Sequence, residues 1–214
     1  MKLKAMTLLG CLTLVAWVGA PLAQAQTYPQ KPVKVVVAFT AGGTTDILAR
    51  TVAQQLSEKL KQPFVIDNKP GAGGNLGTEM VVRAAPDGYT LIVNSVGPIA
   101  VNPSLYAKLP YNPLTDLVPM VQIADVPNVL VIHPSVPAQN MEELVAYAKA
   151  NPGKLNYGSA GSGTSHHLAG ELFKQQTKTF ITHIPYRGAG PALNDLIAGQ
   201  VDVMFDGLGS SAAH

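Results

Sequence analysis

Hydrophobic positions along the chain alternate between two spacings, which predict strands and helices in turn. Val33 to Phe39 is an apolar, valine-rich run interrupted only by a lysine, which is typical of a strand buried on both faces. After a small polar turn at 40–45, apolar side chains recur every four residues from Leu48 to Leu60, as in an amphipathic helix. Because strands that alternate with helices pair in parallel, this half of the chain predicts an α/β sheet. Its remaining elements are a strand at 64–66, a glycine-rich turn at 70–74, a helix over 76–84 and a strand at 89–93.

The second half of the chain repeats the landmarks of the first. Residues 41–49 align with 160–169 if one extra residue is allowed, and residues 71–76 align with 188–193. A glycine then precedes the third strand of each copy. Three landmarks in the same order favour a duplicated unit over a coincidence among common small residues. The second copy is predicted to have strands at 155–157, 180–184 and 201–205, and helices after the turns at 159–165 and 188–191.

A proline-rich stretch at residues 98–119 separates the two copies and shows no hydrophobic period, which predicts loop with short helical turns. Residues 118–123 and 128–132 are expected to be extended. Asn140, with Glu143 three residues later, is a variant of the capping box and predicts a further helix. The sequence therefore predicts an α/β fold of two lobes, each with a βαβαβ-based sheet, that close on each other like a clamp.

The N-terminus has the three parts of an export signal, namely a positive start, a short apolar run at 6–18 and a small-residue cleavage site at 23–25. The mature chain would then begin near Gln26. A membrane anchor is the alternative, but the run is shorter than the roughly 20 residues that a bilayer requires. Lipid attachment at Cys11 is disfavoured because the apolar run continues beyond it.

Without this signal the chain has 13 basic and 13 acidic residues and no cysteine. A chain of zero net charge has no electrostatic footprint for nucleic acid, and without cysteine it needs no disulfide or thiolate metal site. No cofactor is expected, because the glycine-rich stretch at 71–77 lacks the third glycine of a dinucleotide fingerprint. No metal is expected either, because His166 and His167 are adjacent and point in different directions on a helix.

The small polar turns that follow the first strand of each copy are suited to an anion. Ligands of parallel sheets bind beyond the carboxyl ends of the strands, where the first N–H groups of a helix lack partners and carry partial positive charge. Facing turns could therefore enclose a carboxylate or another oxyanion. Hydrogen bonds of roughly 1.5–3 kcal/mol each would supply the roughly 8 kcal/mol of micromolar binding. The predicted ligand-binding residues are Ala41, Gly42, Gly43, Thr44, Thr45, Asp46, Gly73, Asn75, Ser95, Ser159, Ala160, Gly163, Thr164, Ser165, His166, Tyr186 and Asp206.

Several of these residues also fit simpler roles. Thr44 or Thr45 could only cap the helix, and Asp46 fits a first-turn acid matched to the helix dipole. Tyr186 follows a strand end and could reach a ligand, whereas its neighbour Arg187 fits a solvated side chain.

Residues at two further strand ends leave alternatives open. Ser95 and Asp206 end the third strand of each copy, where Asp206 could accept a hydrogen bond from a hydroxyl or an amine. His166 lies close to the second turn and could contact ligand. It could also act as the base of an exported hydrolase, although the chain has no G-x-S-x-G nucleophile elbow.

Short motifs distributed along the chain form a specific combination: Tyr28-Pro29-Gln30-Lys31-Pro32-Val33, Ala41-Gly42-Gly43-Thr44-Thr45-Asp46, Pro70-Gly71-Ala72-Gly73-Gly74-Asn75, Ala85-Pro86-Asp87-Gly88-Tyr89-Thr90-Leu91, Val126-Pro127-Asn128-Val129-Leu130-Val131, Leu155-Asn156-Tyr157, Gly163-Thr164-Ser165, His167-Leu168-Ala169-Gly170-Glu171-Leu172-Phe173 and Met204-Phe205-Asp206. Together they resemble the tripartite tricarboxylate transporter substrate-binding receptors, the Bug family.

The resemblance implies a periplasmic-binding-protein-like, or Venus flytrap, fold with residues 1–25 as signal peptide, 26–123 as lobe 1 and 124–214 as an incomplete lobe 2. It also implies a periplasmic receptor that is not an enzyme and that delivers a small carboxylate to the permease subunits of a transporter. A receptor that presents the same clamp to a sensor kinase is the alternative.

Two departures from the family pattern follow from the resemblance. In the family the turns equivalent to 41–46 and 159–165 hold a ligand carboxylate, partly through bridging water, and the position of Thr44 is often a glycine. Thr44 adds a hydroxyl there, so the ligand preference is expected to differ. Family members also continue well beyond His214, which implies that the C-terminal return to lobe 1 is missing and that lobe 1 has an exposed, aggregation-prone edge.

Overall fold

The computed structural model describes residues 28–214, so the predicted signal peptide lies outside the described residues. Within this range the chain forms two separate sheets with helices packed against them, which confirms the predicted α/β fold class. None of the helices between residues 28 and 214 combines the length and the apolar character that a membrane span requires.

Lobe 1 is built on a three-stranded parallel sheet with the order β2-β1-β3. Its strands are β1 (Val33–Val37), β2 (Phe64–Asn68) and β3 (Thr90–Val93), and its helices are α1 (Thr44–Leu60), α2 (Asn75–Val82) and α3 (Asn102–Leu105). A 3-10 turn and a π-helical turn precede α2 and α3, at Ala72–Gly74 and Gly97–Val101. β1 occupies the centre and is buried except at Lys34, as its apolar run predicts.

Lobe 2 is built on a four-stranded sheet with the order β4-β7-β5-β6. Its strands are β4 (Asn128–Ile132), β5 (Asn156–Ser159), β6 (Thr182–Pro185) and β7 (Val203–Gly207), and its helices are α4 (Met141–Ala150), α5 (Ser165–Thr177), α6 (Ala189–Ile197) and α7 (Leu208–Ser211). Without β4, the order of its strands is that of lobe 1. In addition, α1 and α5 both end at a lysine in the left-handed conformation, Lys61 and Lys178, each with φ 56°. The two lobes therefore repeat one architecture.

β4 departs from the parallel pairing that the alternation of strands and helices predicts, because it runs antiparallel to β7. β4 precedes the repeated unit and enters lobe 2 from the segment between the lobes, so it lies outside the alternation that predicts parallel pairing. In that segment, residues 118–123 form no strand and are exposed.

The core of lobe 2 lies on both faces of β7. Val203 and Phe205 pack with Tyr157 on one face, and Met204 packs with Leu193 of α6 on the other. Because helices cover both faces, the carboxyl ends of β5 and β7 remain as the open edge of the sheet, as expected for parallel α/β architecture. The turns that follow these strands meet lobe 1.

Candidate functional site

The glycine-rich turns of the two lobes contact each other crosswise. The first turn of lobe 1 lies against the second turn of lobe 2, where a Cβ at Gly43 would come 3.2 Å from the Ala189 Cβ. The second turn of lobe 1 lies against the first turn of lobe 2, where Gly73 contacts the Ser162 carbonyl, and Tyr106 donates a hydrogen bond to the same oxygen at 3.3 Å. The duplicated sequence thus forms an interface in which each kind of turn meets the other kind.

The close approach at this interface requires residues without a side chain. A Cβ at Gly188 would overlap the Thr40 hydroxyl, and a Cβ at Gly190 would overlap the Ala41 carbonyl oxygen. These contacts join the two lobes directly.

The start of α1 is open at this interface. Its N-cap, Gly43, has no side chain to accept from the first turn, and the first hydrogen bond of the helix runs from the Ile47 N–H to the Gly43 carbonyl. Within residues 28–214, the N–H groups of Thr44, Thr45 and Asp46 have no acceptor. Such N–H groups, together with the helix dipole, attract an anion.

The start of α5 is partly closed by its own side chains. The Thr164 hydroxyl donates to the Gly161 carbonyl at 2.6 Å and accepts from the His167 N–H at 3.5 Å. The Gly161 N–H donates to Ser159 Oγ at 3.1 Å, and the Gly163 N–H donates to His167 Nδ1 at 3.2 Å. The amides of the second turn are therefore largely engaged within lobe 2, so the two turns are not equivalent.

Asp46 lies at the start of α1 but has its partners inside lobe 1. It accepts from Arg50 at 2.9 and 3.0 Å, from Asn68 at 2.9 Å and from the Gly42 N–H at 3.1 Å. Burial alone would raise the pKa of this carboxyl, but these hydrogen bonds and the Arg50 charge outweigh it and hold the pKa below the usual value. Asp46 therefore orders the first turn from within lobe 1, through its hydrogen bond from the Gly42 N–H.

A cleft of about 250 Å³ opens between the lobes beside this interface. It is lined by Ala41, Gly42, Gly190, Pro191, Leu193, Asn194 and His214. A larger cavity of about 630 Å³ lies on lobe 2 between the end of β4 and the start of α4, and none of the predicted site residues lines it. The interlobe cleft is lined from both lobes, and its lobe 1 side is Ala41 and Gly42, which precede the N-cap of α1.

A family model for the tripartite tricarboxylate transporter family receptor matches residues 48–214. The chain belongs to this receptor family. The protein BugT of Bordetella pertussis is 39% identical over 210 residues, a match that covers 98% of this chain and 64% of BugT.

Solved structures of similar receptors have the same fold. Rpa4515 of R. palustris, solved with adipate, is 42% identical with a TM-score of 0.85, and 87% of this chain matches 62% of that one. The periplasmic binding protein BugD is 39% identical with a TM-score of 0.84, and 87% of this chain matches 62% of BugD. MatC of Rhodopseudomonas palustris, solved with malate, is 35% identical with a TM-score of 0.82, and 87% of this chain matches 63% of MatC. The chain thus spans about two thirds or less of the length of these receptors, and its family and fold are those of solute-binding receptors rather than enzymes.

Other predicted residues of the chain lie at or behind the same interface. Asn75 is buried and accepts from Asn102 at 2.5 Å and from Tyr111 at 2.9 Å. Ser159 is fully buried and shares a 2.7 Å hydrogen bond with His183 Nε2. Ala160 packs in the core of lobe 2. These residues hold the turns in place.

Three predicted residues at the ends of strands or helices have partners within their own lobe. Ser165 lies 3.4 Å from the Asn128 side chain, and the half-buried Ser95 donates its N–H to Asn94. Tyr186 donates to Asp195 at 2.6 Å, and burial, reinforced by that carboxylate, raises the pKa of Tyr186 to about 12.

The remaining two predicted residues, His166 and Asp206, lie close together. His166 Nε2 is 3.7 Å from Asp206 Oδ1, and Asp206 is fully buried. Thr44 reaches the same corner from lobe 1, because its hydroxyl lies 2.9 Å from Ser210 Oγ and 3.5 Å from the Gly207 carbonyl. Thr44 therefore begins α1 and also joins the two lobes through its hydroxyl group.

Three polar side chains are among the interface residues that the sequence prediction missed. Asn102 is fully buried and bonds the Gly73 carbonyl at 3.3 Å, Tyr106 bonds Ser162, and Ser210 bonds Thr44. Asn102 and Tyr106 belong to the proline-rich stretch, which has no periodic signal. Ser210 is four residues beyond Asp206, and that spacing was the only available signal. In residues 28–214, no three histidine, cysteine or acidic side chains are grouped as a metal site would need.

Proposed function

We propose that this protein is an extracytoplasmic solute-binding receptor that captures a small carboxylate-bearing ligand between its lobes for a tripartite tricarboxylate-type transporter. The observation that carries the proposal is the open start of α1, where three consecutive N–H groups have no acceptor among residues 28–214 and lie beside the opposing lobe.

The chemistry of the site supports a carboxylate. Unpaired N–H groups at a helix start donate to anions, and hydrogen bonds to a charged group contribute about 1.5–3 kcal/mol each. Three such bonds are enough for micromolar binding, which requires about 8 kcal/mol, only if other contacts offset the cost of ordering the ligand. The opposing lobe supplies those contacts when the clamp is closed. Adipate and malate, the ligands in two of the similar structures, are both carboxylates.

The two-lobed form supports a transport role. A ligand that contacts both lobes stabilises the closed state over an open one, because only the closed state offers all of its contacts. The closed receptor would then present a surface to the membrane permease in the periplasm. The similar protein BugD is a periplasmic binding protein.

The proposal is tested by mass spectrometry of ligand that stays bound through native purification, and by the melting temperature of the protein with added succinate, adipate or malate. A ligand at a hundred times its Kd stabilises by about 2.7 kcal/mol and raises the melting temperature by several degrees. We expect a rise with at least one dicarboxylate and none with succinamide, which lacks the charges. An equal response to succinamide, or no response to any acid, contradicts the proposal.

A matched pair of variants tests the helix start itself. Thr44→Pro removes the first N–H of α1, and proline suits this position because the preceding Gly43 is already extended, with φ −84° and ψ 163°. Thr44→Ala removes the same hydroxyl but keeps the N–H. We expect Thr44→Pro to bind carboxylate about tenfold more weakly than Thr44→Ala, with both folded by circular dichroism. Equal affinities of the two variants would remove the helix start from the site.

A further inference from the structure

The turn at residues 159–165 lies between lobe 1 and a pair of histidines inside lobe 2. On the lobe 1 side, a Cβ at Gly163 would overlap the side-chain oxygen of Asn102. A Cβ at Gly97 would come 3.0 Å from the Gly163 carbonyl oxygen. Because these contacts leave no free space, any change in the shape of the turn changes how the two lobes meet.

His167 holds the turn from the lobe 2 side. Its Nδ1 accepts a hydrogen bond from the Gly163 N–H at 3.2 Å, so that nitrogen carries no proton. Gly163 has φ 87°, and glycine adopts several other backbone conformations as readily as this one. The turn therefore depends on hydrogen bonds such as this one to keep its shape.

His183 of β6 supports the same turn. Its Nε2 shares a 2.7 Å hydrogen bond with Ser159 Oγ, which accepts from the Gly161 N–H at 3.1 Å. The His183 ring stacks on Tyr157 at 4.8 Å between centroids and lies 4.5 Å from the ring of His167. A proton on one of the two histidines therefore disfavours a proton on the other, because the two positive charges would repel each other.

The groups that face His167 favour its neutral ring on balance. Burial lowers the pKa of His167 below its usual value, the Glu171 carboxylate opposes this effect, and the Lys174 ammonium group reinforces it. Glu171 is itself paired, because it accepts from Lys174 at 2.8 Å and from Tyr157 at 2.7 Å. Tyr106 reaches the turn from lobe 1, and burial raises its pKa, so it adds no charge.

We propose that His167, supported by His183, is a positioning residue that holds the 159–165 turn in its ligand-binding shape only while the imidazole is neutral. A proton on His167 Nδ1 replaces the acceptor of the Gly163 N–H with a second donor. The N–H then loses its partner, and the turn moves against Asn102. The affinity for a carboxylate between the lobes is therefore high at neutral pH and falls in acid. This effect on the ligand rests on the proposed function, whereas the response of the turn does not.

The pH effect has a fixed sign. A turn that requires neutral His167 lowers the pKa of this ring, so a state with the turn released takes up the proton more readily. The affinity is complete above the usual histidine pKa of about 6.5 and falls below it, by no more than about tenfold per pH unit for one proton. We expect the ligand to bind at least about threefold more weakly at about pH 5.5 than at about pH 7.5.

Calorimetric titration of the full chain at these two pH values tests the proposal. The probe is whichever of succinate, adipate and malate raises the melting temperature most. His167→Asn places an amide oxygen near the position of Nδ1 but does not titrate, so it should bind as the parent does at neutral pH and lose less affinity in acid. His167→Leu has no acceptor and should bind weakly at both pH values. Protonation of the ligand itself acts equally on all these proteins.

His133→Asn is the matched control, because His133 bonds only its near neighbour Ser135 through Nδ1 in the described part of the chain. It should keep the pH dependence of the parent. Circular dichroism at both pH values shows whether each variant is folded.

Nuclear magnetic resonance of the isotope-labelled protein follows the turn without ligand. We expect the Gly163 amide signal to shift with pH together with the His167 ring, with a midpoint below about 6.5. In His167→Asn this shift should disappear. If neither variant at 167 folds, the signals of the unchanged protein still decide whether the turn follows the histidine.

The outcomes separate the two proposals. An affinity of the unchanged protein that is equal at both pH values overturns the positioning role and leaves carboxylate capture standing. A loss of affinity in acid that persists in full in His167→Asn does the same. Absence of binding by every acid overturns the proposed function. In that case, a Gly163 signal that does not follow the His167 titration overturns this inference as well.

Discussion

Two histidines connect the second glycine-rich turn to the interior of lobe 2. His183 shares a hydrogen bond with Ser159, which in turn accepts from the Gly161 N–H, and His167 accepts from the Gly163 N–H. The two rings lie 4.5 Å apart between centroids. An imidazole that accepts a backbone N–H must carry no proton on that nitrogen, so the geometry of the turn depends on a neutral His167.

The pH dependence of stability follows from His183. Burial, reinforced by His167, lowers the pKa of His183 to about 4, whereas an unfolded chain takes up that proton near 6.5. Between these values the unfolded state binds more protons, so stability is complete above about pH 6.5 and falls as the pH falls towards 4. We expect a loss of about 1–2 kcal/mol across this window in chemical denaturation, after allowance for partial exposure.

The matched variants for this effect are His183→Gln and His133→Gln. The glutamine at 183 can still bond Ser159 but does not titrate, so the loss in this window should shrink. His133 makes a local bond to Ser135 and serves as the control. Carboxyl groups with a lowered pKa, such as Asp46, change the stability only at lower pH. Their contribution to the free energy of unfolding is lost as the pH falls below the usual carboxyl range. Identical pH curves for both variants would rule out His183 as the cause.

At the level of elements, the helix starts differ in what closes them. α5 has Thr164 as its cap, whereas α1 and α6 begin after Gly43 and Gly188, and neither glycine can supply a capping side chain. α6 begins against the first turn of lobe 1, so its first residues belong both to a helix and to the interlobe contact. Substitutions there can change closure without harming the helix.

The variant Gly190→Ala separates the effect on the helix from the effect on the interlobe contact. Alanine at a helical position is better than glycine by about 0.5–1 kcal/mol, so lobe 2 should keep or gain stability. Across the interface, however, the added Cβ overlaps the Ala41 carbonyl oxygen. We expect a larger radius of gyration by small-angle X-ray scattering and a weaker apparent ligand affinity, because the closed state is less populated.

Gly43→Ala is the graded control for closure, since its Cβ would lie 3.2 Å from the Ala189 Cβ and needs only a small adjustment. Its effect on the radius and the affinity should be smaller than that of Gly190→Ala. Equal effects, or a Gly190→Ala protein as compact as the parent, would contradict the closed contact.

At the scale of the whole molecule, the segment between the lobes leaves apolar side chains in water. Leu114, Val118, Met120 and Val121 are 89%, 88%, 76% and 79% exposed. They fall within fewer than ten residues of one another, and contiguous exposed apolar surface of this kind promotes association.

We therefore expect self-association of the protein at high concentration, seen as a rising mass in light scattering. Val118→Lys with Met120→Lys should reduce it, because charge disfavours burial of this segment in a contact. Lys108→Ala with Lys154→Ala is a control that changes charge elsewhere. A monomer at every concentration would show that the segment does not drive association.

The local pattern of residues was enough to predict most of the helices and strands and the duplication of the unit. The apolar run of β1 and the four-residue stripe of α1 are encoded by adjacent residues. The repeated turns predicted a duplicated unit, and the structure adds that the two copies share one strand order. β5 and β7 begin one to two residues later than predicted, because pairing with neighbouring strands, rather than hydrophobicity alone, sets strand ends.

The sequence by itself determined that glycine-rich turns begin helices in two similar lobes, because glycine content, hydrophobic period and repetition are local properties. Only the tertiary structure decided which turn meets which, that Asp46 turns inward, and that Thr44 reaches Ser210. The last pair is 166 residues apart in sequence. Such contacts depend on how the lobes pack, and no spacing along the chain encodes the distance between atoms on two separate sheets.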